Sequence, residues 1–292
     1  SNKIWNATRL IKGWEVANIE QPESSKIAVE WFDNKFQYKL KLINDSFSKY
    51  RISEALMLTY RLVWDDFCSW YLEMIKPLKG ERISGDALDE TKVIFNTLLE
   101  IMHPFMPFIT EELWQNLADR KDGETINFAV WPTLEIIEAR VLKSFEHFAD
   151  IVGGIRTVRN ENGIAPKELL TLEIVKNTNH DSSYDSLIKK LANVEAIVEV
   201  EEVKKSAFSF VVGGINYTIP ADAFVDLDEE IAKLQEELKY TEGFLNSVLK
   251  KLSNERFVSN APDAVVASER KKQADAESKI TLITQRLEAL KK

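Results

Sequence analysis

Apolar side chains return every three or four residues through most of this chain, and changes in that rhythm predict changes of architecture. Ser24 and Ser25 precede a stripe of Val29, Phe32, Phe36, Leu40, Ile43 and Phe47, which predicts a helix capped by those serines. A second helix is predicted from about Ser53 to Ile75, with Leu56, Thr59, Val63, Phe67, Trp70 and Met74 on one side. Pro77 and Gly80 end it. Asp86 is placed to cap a third helix through Val93, Ile94, Thr97 and Leu98 to Met102. Pro104 and Pro107 interrupt the chain before a short helix opening at Thr110. Residues 125–132 read as extended. Residues 1–139, helical from their start, are therefore expected to form an α-helical bundle with short connections.

The period shortens over residues 140–225. A helix from about Val141 to Arg159, ending near Asn162-Gly163, leads into strands at Leu169–Val175 and Ala196–Val200 with a helix at Tyr184–Ala192 between them. Phe208–Val212 and Ile215–Ile219 flank Gly213-Gly214 in a hairpin pattern. This stretch reads as a small α/β subdomain.

Residues 226–292 carry the most regular pattern. Leu227, Ile231, Leu234, Leu238, Thr241, Leu245, Val248 and Leu252 alternate spacings of four and three. After a break containing Asn260 and Pro262, the positions Val266, Glu269, Gln273, Ala276, Ile280, Ile283, Leu287 and Leu290 repeat the rhythm. These are the seam positions of a coiled coil, with Glu269 and Gln273 as polar interruptions. Each helix has about 25 residues, or roughly 38 Å at 1.5 Å per residue. The short break favours an antiparallel two-helix hairpin within a monomer. The alternative is a coiled coil that docks a protein partner or dimerises. The expected fold class is mainly α.

Composition narrows the chemistry. The 292 residues are 45% hydrophobic and 29% charged, with a single cysteine, Cys68, so no intrachain disulfide can form. A reducing, cytoplasmic setting fits, and no apolar run reaches membrane-spanning length. The absence of an initiator methionine before the helical pattern of Ser1–Ala7 suggests a portion of a longer chain. Net charge is −9, yet it divides unevenly: residues 1–50 carry +2, 51–150 carry −8, 151–250 carry −6 and 251–292 carry +3. An acidic protein with basic ends can still present local basic faces to phosphate.

Catalytic constellations are missing. His103, His147 and His180 lie far apart without metal-ligand spacing. Asp65 and Asp66 are helix neighbours that point in different directions, so with Glu73 they read as solvated or ion-paired groups. Gly153-Gly154 and Gly213-Gly214 do not complete a phosphate-binding loop. No catalytic residue and no metal site is expected. Three basic clusters remain as candidate RNA contacts: Lys3, Asn6, Arg9 and Lys12 at helical spacing; Arg156 and Arg159; and Lys250, Lys251, Arg256, Arg270, Lys271 and Lys272 toward the hairpin tip. Each cluster by itself fits a solvated surface equally well.

Several stretches together resemble the valyl-tRNA synthetase family of class I aminoacyl-tRNA synthetases. They are Lys3–Arg9 (KIWNATR), Trp64–Glu73 (WDDFCSWYLE), His103–Trp114 (HPFMPFITEELW), and Gly154-Ile155-Arg156 with Arg159, Glu161, Ile164 and Pro166. The most discriminating is Lys251–Pro262 (KLSNERFVSNAP), with Val265, Val266, Glu269 and Arg270. The resemblance spans nearly the whole chain. It implies the C-terminal part of such an enzyme: an anticodon-binding helical bundle followed by a tRNA-binding coiled-coil arm. It implies valine tRNA as partner, with the complementary A and C of the anticodon read by Lys3, Asn6 and Arg9, and Trp5 as a weaker candidate for stacking. The arm's lysines and arginines would neutralise phosphates at the outer corner of the tRNA. The HIGH-like and KMSKS-like signatures and the editing domain are absent from this sequence. The resemblance therefore places ATP, magnesium and aminoacylation in the catalytic and editing domains of the longer protein, with no cofactor in this piece.

Overall fold

The protein is mainly α. A computed structural model describes residues 2–176, 180–202, 207–221, 227–253 and 263–290. Backbone contacts divide it into two compact units: residues 1–170, 178–197 and 211–215, and residues 171–177, 198–210 and 216–292.

The first unit opens with α1 (Asn2–Lys12), which buries Ile4, Ala7, Thr8 and Ile11 and leaves its other face open. Val16–Ala17 (β1) and Ile83–Ser84 (β2) pair in parallel. Helix α2 (Glu23–Ser48) starts behind Pro22, whose fixed φ of −59° precedes the first turn. Ser25 is buried and neither serine caps the helix, contrary to expectation.

Residues 52–75 form one continuous helical run, but its middle departs from 3.6 residues per turn. Helix α3 (Ile52–Arg61) passes into a π-helical stretch, Leu62–Tyr71, before α4 (Leu72–Ile75). The expected Thr59, Val63, Phe67 and Met74 stay buried through it, and Leu62 and Tyr71 join them. Leu62, Val63, Phe67, Tyr71, Leu72, Met74 and Ile75 are buried, whereas Leu56 is 44% exposed. Ser84, not Asp86, caps α5 (Gly85–Met102), its Oγ accepting from the Ala87 amide at 3.3 Å. Helix α6 (Pro107–Leu117) begins a turn earlier than expected, with Pro107 as its first residue, where a missing N–H costs nothing. The core is a ring cluster in which Phe67 stands 5.5 Å from Phe32, 5.3 Å from Tyr71 and 5.5 Å from Phe95.

The segment expected to be extended forms a short 3-10 turn at Ile126–Phe128 and then runs along α2 without a strand partner. Side chains of α2 satisfy it instead. Trp131 Nε1 donates to Asn44 Oδ1 (2.9 Å), the Glu135 amide to Gln37 Oε1 (2.9 Å) and the Glu138 amide to Asn34 Oδ1 (2.6 Å). Helix α7 (Ala139–Glu161) then packs Phe145 flat on Trp31, ring centroids 3.7 Å apart. Helix α8 (Asp185–Ala192) ends at Asn193, held left-handed at φ 53°.

Strands β3 (Leu170–Val175), β4 (Val194–Val200), β5 (Ala207–Val212) and β6 (Ile215–Pro220) lie in the order β4-β3-β6-β5, with Glu173 opposite Thr218 in the antiparallel β3/β6 pair. Gly213 and Gly214 both have positive φ (57° and 82°), the turn that matches strand twist in a two-residue hairpin. A Cβ at Gly213 would also lie 2.9 Å from His147 Cε1.

In the second unit, α9 (Leu227–Leu252) and α10 (Asp263–Leu290) run antiparallel, as the pairs Lys251–Glu269 (3.8 Å) and Glu237–Lys279 (2.8 Å) require. Thr241, Val248, Val266, Glu269, Ala276 and Ile283 are buried along their seam. Residues 254–262, expected to turn the chain and containing Arg256, Asn260 and Pro262, lie outside the described residues, as do the side chains of Leu227, Ile231, Leu234, Leu287 and Leu290.

Candidate nucleic-acid interface

The open face of α1 divides by helical angle. Trp5, Arg9 and Lys12, at spacings of four and three, join Thr8, Leu113 and Asn116 around a groove of about 370 Å³ against α6. Lys12 Nζ donates to the Asn116 carbonyl oxygen at 3.0 Å, closing one end. Arg9 is exposed, and Trp5 is 41% exposed. An indole beside a guanidinium and an ammonium suits an unstacked base with its phosphate. Asn6 is exposed but lies off this groove.

Lys3 turns toward the π-helical stretch. Its Nζ donates to the Trp64 carbonyl oxygen (3.1 Å) and to Ser69 Oγ (3.3 Å), and sits 5.2 Å from the Trp64 ring centre. The Ser69 hydroxyl donates to the same carbonyl at 2.8 Å.

Arg156 and Arg159, a pair by spacing, have different fates. The Arg156 guanidinium lies 5.8 Å from the Trp70 ring centre. Arg159 is buried, and its donors go to the carbonyl oxygens of Ala165, Glu168, Ala192 and Asn193 at 2.8–3.1 Å. It ties the end of α7 to the end of α8. Helical spacing could not reveal this, because its partners lie on a following loop and another helix.

On the arm, Lys250, Arg270 and Lys271 are exposed. Lys272 and Lys251 face Glu269, at 2.8 Å and 3.8 Å. The Glu269 carboxyl is buried in the seam, and the Lys272 ammonium followed by the Lys251 charge holds it below the usual carboxylate range. Arg256 lies outside the described residues. The sequence signal missed Leu113 and Asn116, which reach the α1 groove from a helix a hundred residues away. Among the described residues no group of three or more His, Cys, Asp or Glu side chains could hold a metal ion, and no helix is long and apolar enough to cross a membrane.

Comparison with known proteins adds two family matches in chain order. Residues 29–175 match the anticodon-binding domain of tRNA ligase, and residues 226–291 match the valyl tRNA synthetase tRNA binding arm. Over 292 residues the chain is 49% identical to a valine–tRNA ligase of Phocaeicola vulgatus, covering 100% of this chain and 33% of that protein. It is 49% identical over 293 residues to one from Parabacteroides distasonis, with 100% and 33% covered. To a valine–tRNA ligase of Listeria monocytogenes it is 32% identical over 305 residues, covering 99% and 34%. The chain thus spans about a third of the length of the curated relatives it matches.

Proposed function

The chain belongs to the anticodon-binding domain family of tRNA ligases, and from that premise we propose that it is the tRNA-recognition portion of a valine–tRNA ligase. The observation that carries this reading is the succession, in one chain, of a match to an anticodon-binding bundle and a match to a tRNA-binding arm. The bundle, residues 1–139, holds the anticodon stem and loop. Residues 140–225 form the α/β subdomain, and the arm, residues 226–292, rests on the outer corner of valine tRNA. Arg9 and Lys12 bind the loop at the α1 groove with Trp5 beside them, and Asn6 reads a base edge from the neighbouring face. Lys250, Arg270 and Lys271 neutralise phosphates.

Aminoacylation, with its ATP and magnesium, belongs in this reading to the remaining two thirds of the longer protein, because this sequence lacks both class I nucleotide-binding signatures. The portion acts as a monomer in the cytoplasm. The match of residues 226–291 to a tRNA-binding arm favours this assignment over a protein-docking or dimerising coiled coil.

Filter-binding titration of the chain against valine tRNA and a non-cognate tRNA tests the proposal. Binding at low salt that weakens as salt rises is expected, with Asn6→Ala and Arg9→Ala chiefly reducing the preference for the cognate species. No binding to either tRNA at low salt overturns it.

A further inference from the structure

Lys190 stands on α8 where that helix meets the end of α4. Its Nζ donates to the carbonyl oxygens of Met74 and Lys76, both at 2.6 Å. These two N–H bonds and the bond to Cε fill three of the nitrogen's four tetrahedral positions, so the fourth is left for a proton or a lone pair. The same side chain lines a cavity of about 260 Å³ together with Ser24, Ser25, Ser84, Ser186 and Arg82. The wall suits an anion. Ser24 and Ser25 stand in the first turn of α2 and Ser84 at the N-cap of α5, where a helix end favours negative charge. Ser25 is only 6% exposed, and its hydroxyl has no hydrogen-bond partner among the described residues. The Arg82 guanidinium engages Glu15 through Nε alone, at 3.1 Å. Among the described lining groups Glu81 is the one carboxylate, and Lys76 is paired with Glu73 at 2.6 Å.

An amine held beside an anion-binding wall matches one substrate chemistry: an electrophile with an anionic leaving group. We propose that Lys190 is an acylation site whose donor is an acyl phosphate, with Arg82 and the cavity serines receiving the phosphate. The Nζ lone pair forms a C–N bond to the acyl carbon and the C–O bond to phosphate breaks. Phosphate leaves with that electron pair and takes up the proton lost from nitrogen. Burial first, then the Lys76 charge, brings the Lys190 pKa down to about 8, against the opposing pull of Glu73 and Glu81. Roughly a quarter of such a side chain is free amine at pH 7.5, against about a thousandth of an ordinary lysine. The acylated nitrogen keeps one N–H for two carbonyl oxygens, so modification loosens the junction of α4 with α8. The site does not depend on bound RNA and stands apart from the tRNA-recognition reading.

The probe is acetyl phosphate, incubated with the full chain between pH 6.5 and 9.5, with the acetylation of each lysine followed by peptide mass spectrometry. At pH 7.5 Lys190 is expected to react about tenfold faster than the exposed Lys121, with a rate that levels off above about pH 8. Arg82→Gln and Ser25→Ala should each slow this reaction severalfold. Arg82→Lys, which keeps the cation, should retain most of the rate. A second reagent, the acetyl ester of N-hydroxysuccinimide, transfers the same acyl group without a phosphate. Its reaction at Lys190 should be unchanged in all three variants, which also reports that the cavity is folded around the amine. Equal rates at Lys190 and Lys121 with acetyl phosphate overturn the site. So does an Arg82→Gln variant that slows neither reagent or slows both alike, because the phosphate would then have no place in the cavity.

Discussion

The guanidinium of Arg159 donates to the carbonyl oxygen of Asn193 at 3.1 Å, across 34 residues, at the one point where α8 turns through a left-handed residue. Three further carbonyl oxygens share the same guanidinium, and Asn193 Nδ2 reaches back to Pro166 and Glu168, each at 3.2 Å. A planar fork with five N–H donors can serve such a set, and a single ammonium cannot. Arg159→Ala is expected to destabilise the first unit by about 3 kcal/mol or more, since buried acceptors lose their donors. Arg159→Lys should recover only part of the loss. Thermal unfolding followed by circular dichroism checks both. An Arg159→Ala variant as stable as the parent would refute the structural role.

How far the sequence anticipated this structure depends on where each residue's partners lie. Helices whose apolar stripe faces the core were legible, as with Phe32, Phe36, Leu40 and Ile43 on α2, because burial imposes the helical period directly. The hairpin at Gly213-Gly214 and the seam through Val248, Val266 and Ile283 were legible for the same reason. The π register at Leu62–Tyr71 was not, because Val63, Phe67 and, just beyond it, Met74 are buried as an ordinary helix would bury them. Nor was the strap over α2, whose amides bond to Asn34 and Gln37, polar residues that the periodicity treats as solvent-facing. On the candidate site, spacing grouped Lys3, Asn6, Arg9 and Lys12. Packing then took Lys3 to Trp64 and gave Arg9 and Lys12 the neighbours Leu113 and Asn116.

Lys190 gives the first unit a pH signature. Its Nζ donates to the carbonyl oxygens of Met74 and Lys76, both at 2.6 Å, at the end of α4. Burial, reinforced by the Lys76 charge, lowers its pKa to about 8 from the usual 10.5. Between those values the unfolded chain binds the proton that the folded chain has released, so Lys190's contribution to stability rises with pH across that window. Relative to Lys190→Met, the parent chain should gain roughly 1 kcal/mol per pH unit from pH 8 toward 10. Paired denaturant titrations at pH 7.5, 8.5 and 9.5 measure the difference, and a constant gap would refute the assignment.

Glu269 is a buried carboxylate in a seam whose other buried positions, Thr241, Val248, Val266, Ala276 and Ile283, are apolar or small, and its Oε2 has no hydrogen-bond partner. Lys272 meets its other oxygen at 2.8 Å, while Lys251 stays 3.8 Å away. A polar seam residue costs stability and in exchange restricts pairing register. Glu269→Leu is therefore expected to raise the melting temperature of the hairpin. It should also free Lys251 and Lys272, leaving tRNA affinity at low salt equal or higher. Differential scanning calorimetry and the same filter assay report the two effects. A lowered melting temperature would mean that the ion pairs outweigh the burial.

The exposed cations of the arm should act through charge alone. Arg270 and Lys271 are exposed near the start of α10, and Lys250 is exposed near the end of α9. If each neutralises one phosphate, Arg270→Ala/Lys271→Ala should weaken binding to cognate and non-cognate tRNA alike and flatten the log–log salt slope by about two. Arg9→Ala, which removes a cation from a groove that also offers an indole and a leucine, should instead reduce the cognate preference and change the slope by about one at most. Salt titrations of the two variants against both tRNAs separate positioning from reading. Loss of cognate preference in the Arg270/Lys271 variant, with no change in slope, would reverse these roles.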